Sequence, residues 1–243
     1  MLLVIDIGNT RTKWALADDA GKLKDAQACL NMDVATSTLA RTAKQASKAI
    51  VANVAGAGMA QQITKILKPL EVSFATVSTQ ACGVTNGYEA PDALGIDRWA
   101  ALLAAWHINK HPSLVVNAGT AITMDALDSK GVFFGGTIMP GLRLMQAALV
   151  GNTAQLADAE GNAADFATNT QDAIENGGLN AVCGAISIML KRLEKHSGWL
   201  PKLILSGGDA NKIAEALKLN SKQVIMTENI VLQGLVLLEK ESL

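Results

Sequence analysis

The chain opens with a short apolar strand that ends at a glycine turn and is followed directly by a second strand. Residues 2–7 (LLVIDI) read as a buried strand, Gly8-Asn9-Thr10 as the turn, and residues 14–17 (WALA) as the next strand. The Walker and Rossmann phosphate-binding units place a helix after their glycine turn instead. This opening therefore predicts an α/β architecture of a different kind.

The same pattern returns about half a chain later. Residues 114–116 are a predicted strand, residues 117–120 (NAGT) a turn of small residues, and residues 121–127 the following strand. Two such units indicate an internal duplication. We expect two similar α/β halves facing each other across a cleft, the first formed by residues 1–114 and the second by residues 115–243.

Apolar spacing along the rest of the chain predicts an alternation of strands and helices. The other predicted strands are residues 49–54, 72–77, 132–138, 202–205 and 223–226, and the predicted helices are residues 58–67, 94–107, 141–149, 181–195, 210–217 and 230–239, with a weakly helical stretch at residues 36–48.

The first turn has the residue types that hold a phosphate. Gly8 lets backbone N–H groups approach an anion without a side chain in the way, and Asp6 can hold Mg²⁺ directly or through water. The whole candidate ATP-binding segment is Asp6, Ile7, Gly8, Asn9, Thr10, Arg11, Thr12 and Lys13. An ordinary hairpin turn uses the same residue types, so this turn alone leaves both interpretations open.

Two later turns strengthen the phosphate-binding interpretation. The second turn carries Gly119 and Thr120, and the third carries Gly207 and Gly208 between a strand and a helix. The glycines of the third would let a flat adenine or ribose approach the backbone closely. The alternative interpretation of the third turn is a plain strand-to-helix loop with Asp209 as the N-cap.

Charge and composition exclude several classes of function. The formal net charge is −1, from 21 basic and 22 acidic residues. The sequence therefore lacks the excess of basic residues that is typical of a nucleic-acid-binding protein. The three cysteines are far apart and suggest a reducing, cytoplasmic compartment. With no uncharged apolar run of about 18 residues, we expect no membrane partner.

Five motifs in order resemble the type III pantothenate kinases, part of the superfamily of acetate and sugar kinases, heat-shock chaperones and actin. They are DIGNTRTKWAL, LGIDRWAALLAA, NAGTAITMD, GGTIMPGL and SGGDA. The resemblance runs from Leu3 to about Leu235. It implies two duplicated actin-like (ribonuclease H-like) α/β halves around a nucleotide cleft.

The resemblance also implies a reaction and a site. The reaction is transfer of the ATP γ-phosphoryl group, with Mg²⁺, to the primary hydroxyl of pantothenate, and Asp97 is its proton acceptor. Thr120 would contact ATP, together with Asp6 to Lys13. The implied pantothenate-binding residues are Tyr88, Gly95, Ile96, Asp97, Arg98 and Thr170.

The family's monovalent cation, K⁺ or NH₄⁺, is associated with an aspartate where this chain has Asn117. Asparagine keeps a carbonyl oxygen but loses the charge, so we expect this cation site to be weaker, formed differently or absent. The resemblance further implies a homodimer, for which residues 94–106 and 181–193 are candidate contact helices.

Other interpretations remain open from the residues themselves. Asp97 and Arg98 also suit a simple helix start, where an acidic residue is stabilised by the helix dipole. An actin-like phosphatase would reuse the glycine turns with water as the nucleophile. A non-enzymatic regulator acting through a protein partner is the third possibility.

Overall fold

The computed structural model describes residues 1–152 and 161–241. The chain forms two compact units. The first contains Met1–Lys110, Lys130–Phe134 and Asn229–Leu243, and the second contains His111–Ser129 and Gly135–Glu228. The closing segment, which the division at residue 114 assigns to the second half, belongs to the first unit.

Strands and helices alternate along the chain. The strands are β1 Leu2–Ile7, β2 Arg11–Ala17, β3 Leu23–Leu30, β4 Lys48–Asn53, β5 Glu71–Phe74, β6 Gln80–Ala81, β7 Val84–Asn86, β8 Ser113–Ala118, β9 Ala121–Leu127, β10 Val132–Pro140, β11 Lys202–Ser206 and β12 Val224–Met226. The helices are α1 Leu39–Ala43, α2 Ala57–Ile66, α3 Ile96–Ile108, α4 Leu142–Asn152, α5 Thr170–Ser197, α6 Ala210–Leu217 and α7 Ile230–Glu241, with 3₁₀ turns at Asn31–Thr36 and Pro91–Ala93.

The first unit is built on a five-stranded sheet of order β3-β2-β1-β4-β5. β1 pairs antiparallel with β2 and parallel with β4, so Ile5 lies between Trp14 and Val51. These three side chains belong to one buried cluster. Burial of such large apolar side chains contributes roughly 1.5–3 kcal/mol each, which fixes β1 and the turn at its end.

Helices α3 and α7 of the first unit approach each other closely. A Cβ added to Gly234 would lie 1.9 Å from the Ala100 carbonyl oxygen, so only glycine allows this approach. Every residue of α3 from Arg98 to Trp106 is buried within the chain. The suggestion that residues 94–106 offer a dimer surface is therefore wrong, because this helix packs inside its own chain.

The second unit repeats the same topology. Five strands of a seven-stranded sheet run in the order β10-β9-β8-β11-β12, with β8 antiparallel to β9 and parallel to β11, and β7 and β6 continue the sheet beyond β10. Val116 of β8 packs with Val182 and Ile186 of α5 in one core. The match between the two sheet orders confirms the predicted duplication of an actin-like half.

Helix α5 is the one helix among the described residues that is long and apolar enough to span a membrane. One of its faces, which includes Leu179, Leu190 and Leu193, lies in the core of the second unit. Most of the helix is not covered by its own chain, since 22% of its most apolar 18-residue window is buried.

Candidate active site

Asp6 is the next-to-last residue of β1, just before the first turn, and its carboxylate is almost completely buried. The side chain is 8% exposed, and its Oδ1 atom has no hydrogen-bond partner. Burial raises the pKa of Asp6 to about 7, Lys13 opposes that rise, and the charge of Asp97 adds to it. Asp97 is therefore close enough to Asp6 to influence its charge.

A magnesium ion with a nucleotide fits this arrangement. Mg²⁺ commonly takes one or two carboxylates and completes its shell with phosphates and water. The unpartnered Oδ1 of Asp6 is a suitable ligand. Within the described residues, no three or more His, Cys, Asp or Glu side chains are grouped so that they could hold a metal ion. A magnesium ion at Asp6 would therefore take its remaining ligands from phosphates and water.

The turn after β1 exposes donors next to Asp6. Gly8 N–H donates to the Arg11 carbonyl oxygen at 3.0 Å, which closes the turn. Asn9, Thr10 and Arg11 are exposed, whereas Ile7 and Thr12 are buried. The side chain of Ile7 is therefore out of reach of a ligand, and the exposed residues of the predicted ATP-binding segment are 9–11.

Asp97 lies in the first turn of α3, where Gly95 makes room for it. A Cβ at Gly95 would lie 2.6 Å from Asp97 Oδ1. That oxygen accepts a hydrogen bond from the Arg98 N–H at 2.8 Å. The helix start that the sequence suggested is thus present, and it holds a half-buried carboxylate in the same unit as Asp6.

Arg98 is buried against two aromatic rings. Its guanidinium carbon lies 5.4 Å from the Tyr88 ring centroid and 5.9 Å from that of Phe133, and the two rings are 5.2 Å apart. Arg98 Nη1 donates to the Tyr88 hydroxyl at 2.8 Å. The first unit thus brings Tyr88 together with the start of α3.

Two residues of this cluster, Phe133 and Asn86, were not predicted from the sequence. Phe133 is fully buried and reaches Tyr88 from β10. Asn86 is 7% exposed: its Oδ1 accepts the Tyr88 N–H at 3.1 Å, and its Nδ2 donates to the carbonyls of Pro91 at 3.1 Å and Ser78 at 3.4 Å. The N-x-Y spacing is an Asx-turn signal that could have pointed to Asn86.

The second unit brings its two predicted turns together. β8 and β11 are parallel neighbours, with Asn117 opposite Ser206. Both turns therefore lie at the same edge of the sheet, where the two strands end. Asp209 N–H donates to the Ala118 carbonyl at 3.3 Å. Gly207 has φ +103°, and a Cβ there would lie 2.2 Å from the Ala118 oxygen, so this close approach requires glycine.

The start of α4 lies against the second turn. Gly141 N–H donates to the Thr120 carbonyl at 2.9 Å, and a Cβ at Gly141 would lie 2.2 Å from the Gly119 oxygen. Thr120 is exposed. Thr120, Gly207 and the N-terminus of α4 therefore form one small-residue surface of the second unit, where a phosphate or ribose can approach backbone.

Asp209 occupies the N-cap position of α6 but makes no side-chain capping bond. Burial raises the pKa of its carboxyl, Arg143 and Lys212 lower it, and Glu175 raises it. Lys212 forms an ion pair with Glu175 at 2.5 Å. The N-cap interpretation is correct for the position, but the side chain belongs to this charged cluster.

Thr170 lies elsewhere in the second unit, as the first residue of α5. It lines an apolar groove of about 660 Å³ between α4 and α5, whose other walls include Leu142, Met145 and Ile174. Asn169 caps the helix by accepting the Asp172 N–H at 2.9 Å. Among the described residues, no backbone hydrogen bond joins Thr170 to the turn that carries Thr120.

The fold is similar to those of solved actin-like proteins. A Baf family transcriptional activator of Campylobacter jejuni superposes with a TM-score of 0.64 at 21% identity, covering 99% of this chain and all of that one. A 2-dehydro-3-deoxygalactonokinase of Sinorhizobium meliloti gives 0.56 at 14% identity, covering 97% of each chain. The duplicated sheets and glycine turns define the actin-like fold of the acetate and sugar kinases.

Sequence comparison narrows this class to one family. Residues 2–192 match the family model of the type III pantothenate kinases. The type III pantothenate kinase of Nitrosospira multiformis is 39% identical over 244 residues, covering all of this chain and 92% of that protein. The chain therefore belongs to the type III pantothenate kinase family, as its motifs predicted.

Proposed function

We propose that this protein transfers the γ-phosphoryl group of ATP to the primary hydroxyl of pantothenate. The product is 4′-phosphopantothenate, and the reaction is the first step of coenzyme A synthesis. Family membership supports the reaction. The observation that carries it is the position of Asp97 at the start of α3, in the same unit as the buried and unpartnered Asp6 carboxylate.

Asp97 is the proton acceptor in this proposal. The pantothenate hydroxyl oxygen forms a bond to the γ-phosphorus, the bond from that phosphorus to the bridging oxygen of ADP breaks, and the hydroxyl proton passes to the Asp97 carboxylate. Such a transfer requires mainly positioning and charge stabilisation, with a group that orients the hydroxyl. Gly95 leaves the space that the carboxylate occupies.

The family motifs assign ATP-binding residues to each unit separately. The exposed donors of residues 9–11 and the side chain of Lys13 receive phosphate groups, and Asp6 holds the Mg²⁺ that accompanies them. Thr120 contacts a phosphate, and Gly207 with Gly208 accepts the adenosine. Mg²⁺ supplies charge neutralisation of the phosphates when it is bound.

Pantothenate is assigned to the aromatic cluster at the start of α3. Tyr88 offers its hydroxyl and its ring, Gly95 and Ile96 offer backbone, and the Arg98 guanidinium supplies positive charge for the pantothenate carboxylate. Thr170 is assigned to the same substrate on the strength of the family motif.

A homodimer and a cytoplasmic location complete the proposal. The outward face of α5 carries Ala181, Gly184 and Ile188, all exposed, and nothing lies within 4 Å of a Cβ placed at Gly184. Together with the neighbouring groove, this apolar face suits a second copy of the chain. Light scattering on the purified protein would give twice the chain mass.

Pantothenate dependence of ADP formation tests the reaction. We expect rapid ADP release with ATP, Mg²⁺ and pantothenate, and little release when pantothenate is left out. Phosphate release that is independent of pantothenate would favour an actin-like phosphatase instead.

A further inference from the structure

Asn31 binds the first glycine turn from a position outside the five motifs named above. It follows β3 and begins the 3₁₀ turn Asn31–Thr36. Its Nδ2 donates to the carbonyl oxygens of Gly8 at 2.8 Å and Asn9 at 3.1 Å. Its Oδ1 accepts the hydroxyl of Thr12 at 2.8 Å. One amide therefore joins three residues of the turn segment.

These contacts determine where the turn's donors point. In a planar trans peptide unit, the carbonyl of one residue and the N–H of the next point in opposite directions. With the Gly8 and Asn9 carbonyls directed at Asn31, the N–H groups of Asn9 and Thr10 are directed away from it. Both residues are exposed, and no acceptor within the described ranges takes either N–H.

Two such adjacent donors are what a phosphate-binding turn requires. We infer that Asn31 is a positioning residue: its amide holds the Gly8 and Asn9 carbonyls so that the N–H groups of Asn9 and Thr10 face the nucleotide phosphates. The inference rests on the proposed ATP-binding role of this turn. It also gives Thr12 an indirect part, since its buried hydroxyl holds Asn31.

The chemistry requires an amide at this position. Asn31 donates twice and accepts once, and an aspartate could accept from Thr12 but could not donate to two carbonyls. An aspartate would also place a negative charge behind a turn that binds an anion. The backbone bond from Asn31 N–H to the Thr10 carbonyl, at 3.0 Å, remains in any variant, so the β3 connection should survive substitution.

The test compares Asn31→Ala and Asn31→Asp with wild type in steady-state kinetics. We expect the KM for ATP to rise about 10-fold in the alanine variant and further in the aspartate variant, because hydrogen bonds to charged phosphate are lost or misdirected. The KM for pantothenate should change less than about two-fold. A general structural role would instead change both KM values, or kcat alone.

Thr36→Ala is the matched control. It removes one exposed side-chain bond, from Thr36 Oγ1 to the Asp33 carbonyl at 3.1 Å, in the same 3₁₀ turn but away from the glycine turn. Its kinetic constants should equal those of wild type. Thr12→Val, which keeps the shape but removes the hydroxyl, should raise the KM for ATP less than Asn31→Ala and add nothing in the double variant.

The outcomes separate this inference from the proposed function. If wild type makes no pantothenate-dependent ADP, the proposed function fails before Asn31 is tested. If wild type is active and Asn31→Ala keeps the wild-type KM for ATP, the positioning role is refuted. Should Asn31→Ala fail to fold, an elevated KM for ATP in Thr12→Val supports the role, and an unchanged one overturns it.

Discussion

Replacing Asn86 with alanine would remove three hydrogen bonds that organise the loop between β7 and α3. The bonds reach the Tyr88 N–H and the Pro91 and Ser78 carbonyls at 3.1, 3.1 and 3.4 Å. Each buried group left without a partner costs about 1–3 kcal/mol, and solvent can reach part of this loop. We therefore expect the free energy of unfolding to fall by about 2–4 kcal/mol, a decrease in Tm of about 5–15 °C.

The same change should weaken pantothenate binding selectively. Asn86 orients the Tyr88 backbone, and the Tyr88 hydroxyl accepts the Arg98 bond at 2.8 Å. We expect Asn86→Ala to raise the KM for pantothenate about 10-fold and to leave the KM for ATP nearly unchanged, which initial-rate assays below the Tm of the variant would measure.

The control for Asn86 is Asn220→Ala. Asn220 is exposed, and its side-chain Oδ1 accepts the Lys222 N–H at 2.9 Å in a loop of the second unit. Its melting temperature should change by less than about 2 °C. If Asn86→Ala melts like this control and keeps the wild-type KM for pantothenate, the proposed role of the loop is refuted.

Three further predictions concern single residues. Because burial raises the pKa of Asp6 to about 7, the folded protein keeps a proton that the unfolded chain releases near pH 4. The free energy of unfolding should fall between pH 4 and 7 in wild type but not in Asp6→Asn; urea unfolding at both pH values measures this, and parallel profiles would contradict it. Gly207→Ala should lower the Tm far more than Gly208→Ala, because its Cβ would meet the Ala118 carbonyl at 2.2 Å whereas nothing lies within 4 Å at Gly208; equal melting curves would argue against the close approach. Potassium should activate wild type less than Asn117→Asp in initial-rate assays, since the amide lacks the charge of a carboxylate, and equal activation would show that residue 117 does not form the cation site.

Elements with continuous apolar patterns were predictable. β1 and α3 carry long apolar runs, and their predicted bounds of 2–7 and 94–107 agree with the structure within two residues. β3 was missed because it is an edge strand with mostly exposed side chains. β6 and β7 have only two and three residues, too few for any periodicity to be read.

Helix α5 begins 11 residues before the predicted start at residue 181, at Thr170. Glycines at 177 and 178 lower the helical propensity of that stretch, which hid its first turns. The capping pair Asn169 and Asp172 was readable in the sequence and marks the true start. Packing of α5 against the sheet outweighs the two glycines.

The sequence predicted which site residues lie together only where those residues are close to one another along the chain. Tyr88 and the segment from Gly95 to Arg98 lie in one stretch, and the structure places them together. Phe133 reaches the same cluster through the pairing of β10 with β7. That contact depends on tertiary pairing across more than 40 residues, which no local spacing encodes.

The most direct test of the central claim is the formation of 4′-phosphopantothenate by wild type and by Asp97→Asn. Mass spectrometry after incubation with ATP, Mg²⁺ and pantothenate would measure the product, and calorimetry would measure ATP binding. We predict product from wild type, and at least a 100-fold lower rate with nearly unchanged ATP affinity in the variant. Wild-type rates in Asp97→Asn would contradict the assignment of Asp97 as proton acceptor, and no product from wild type would contradict the proposed reaction.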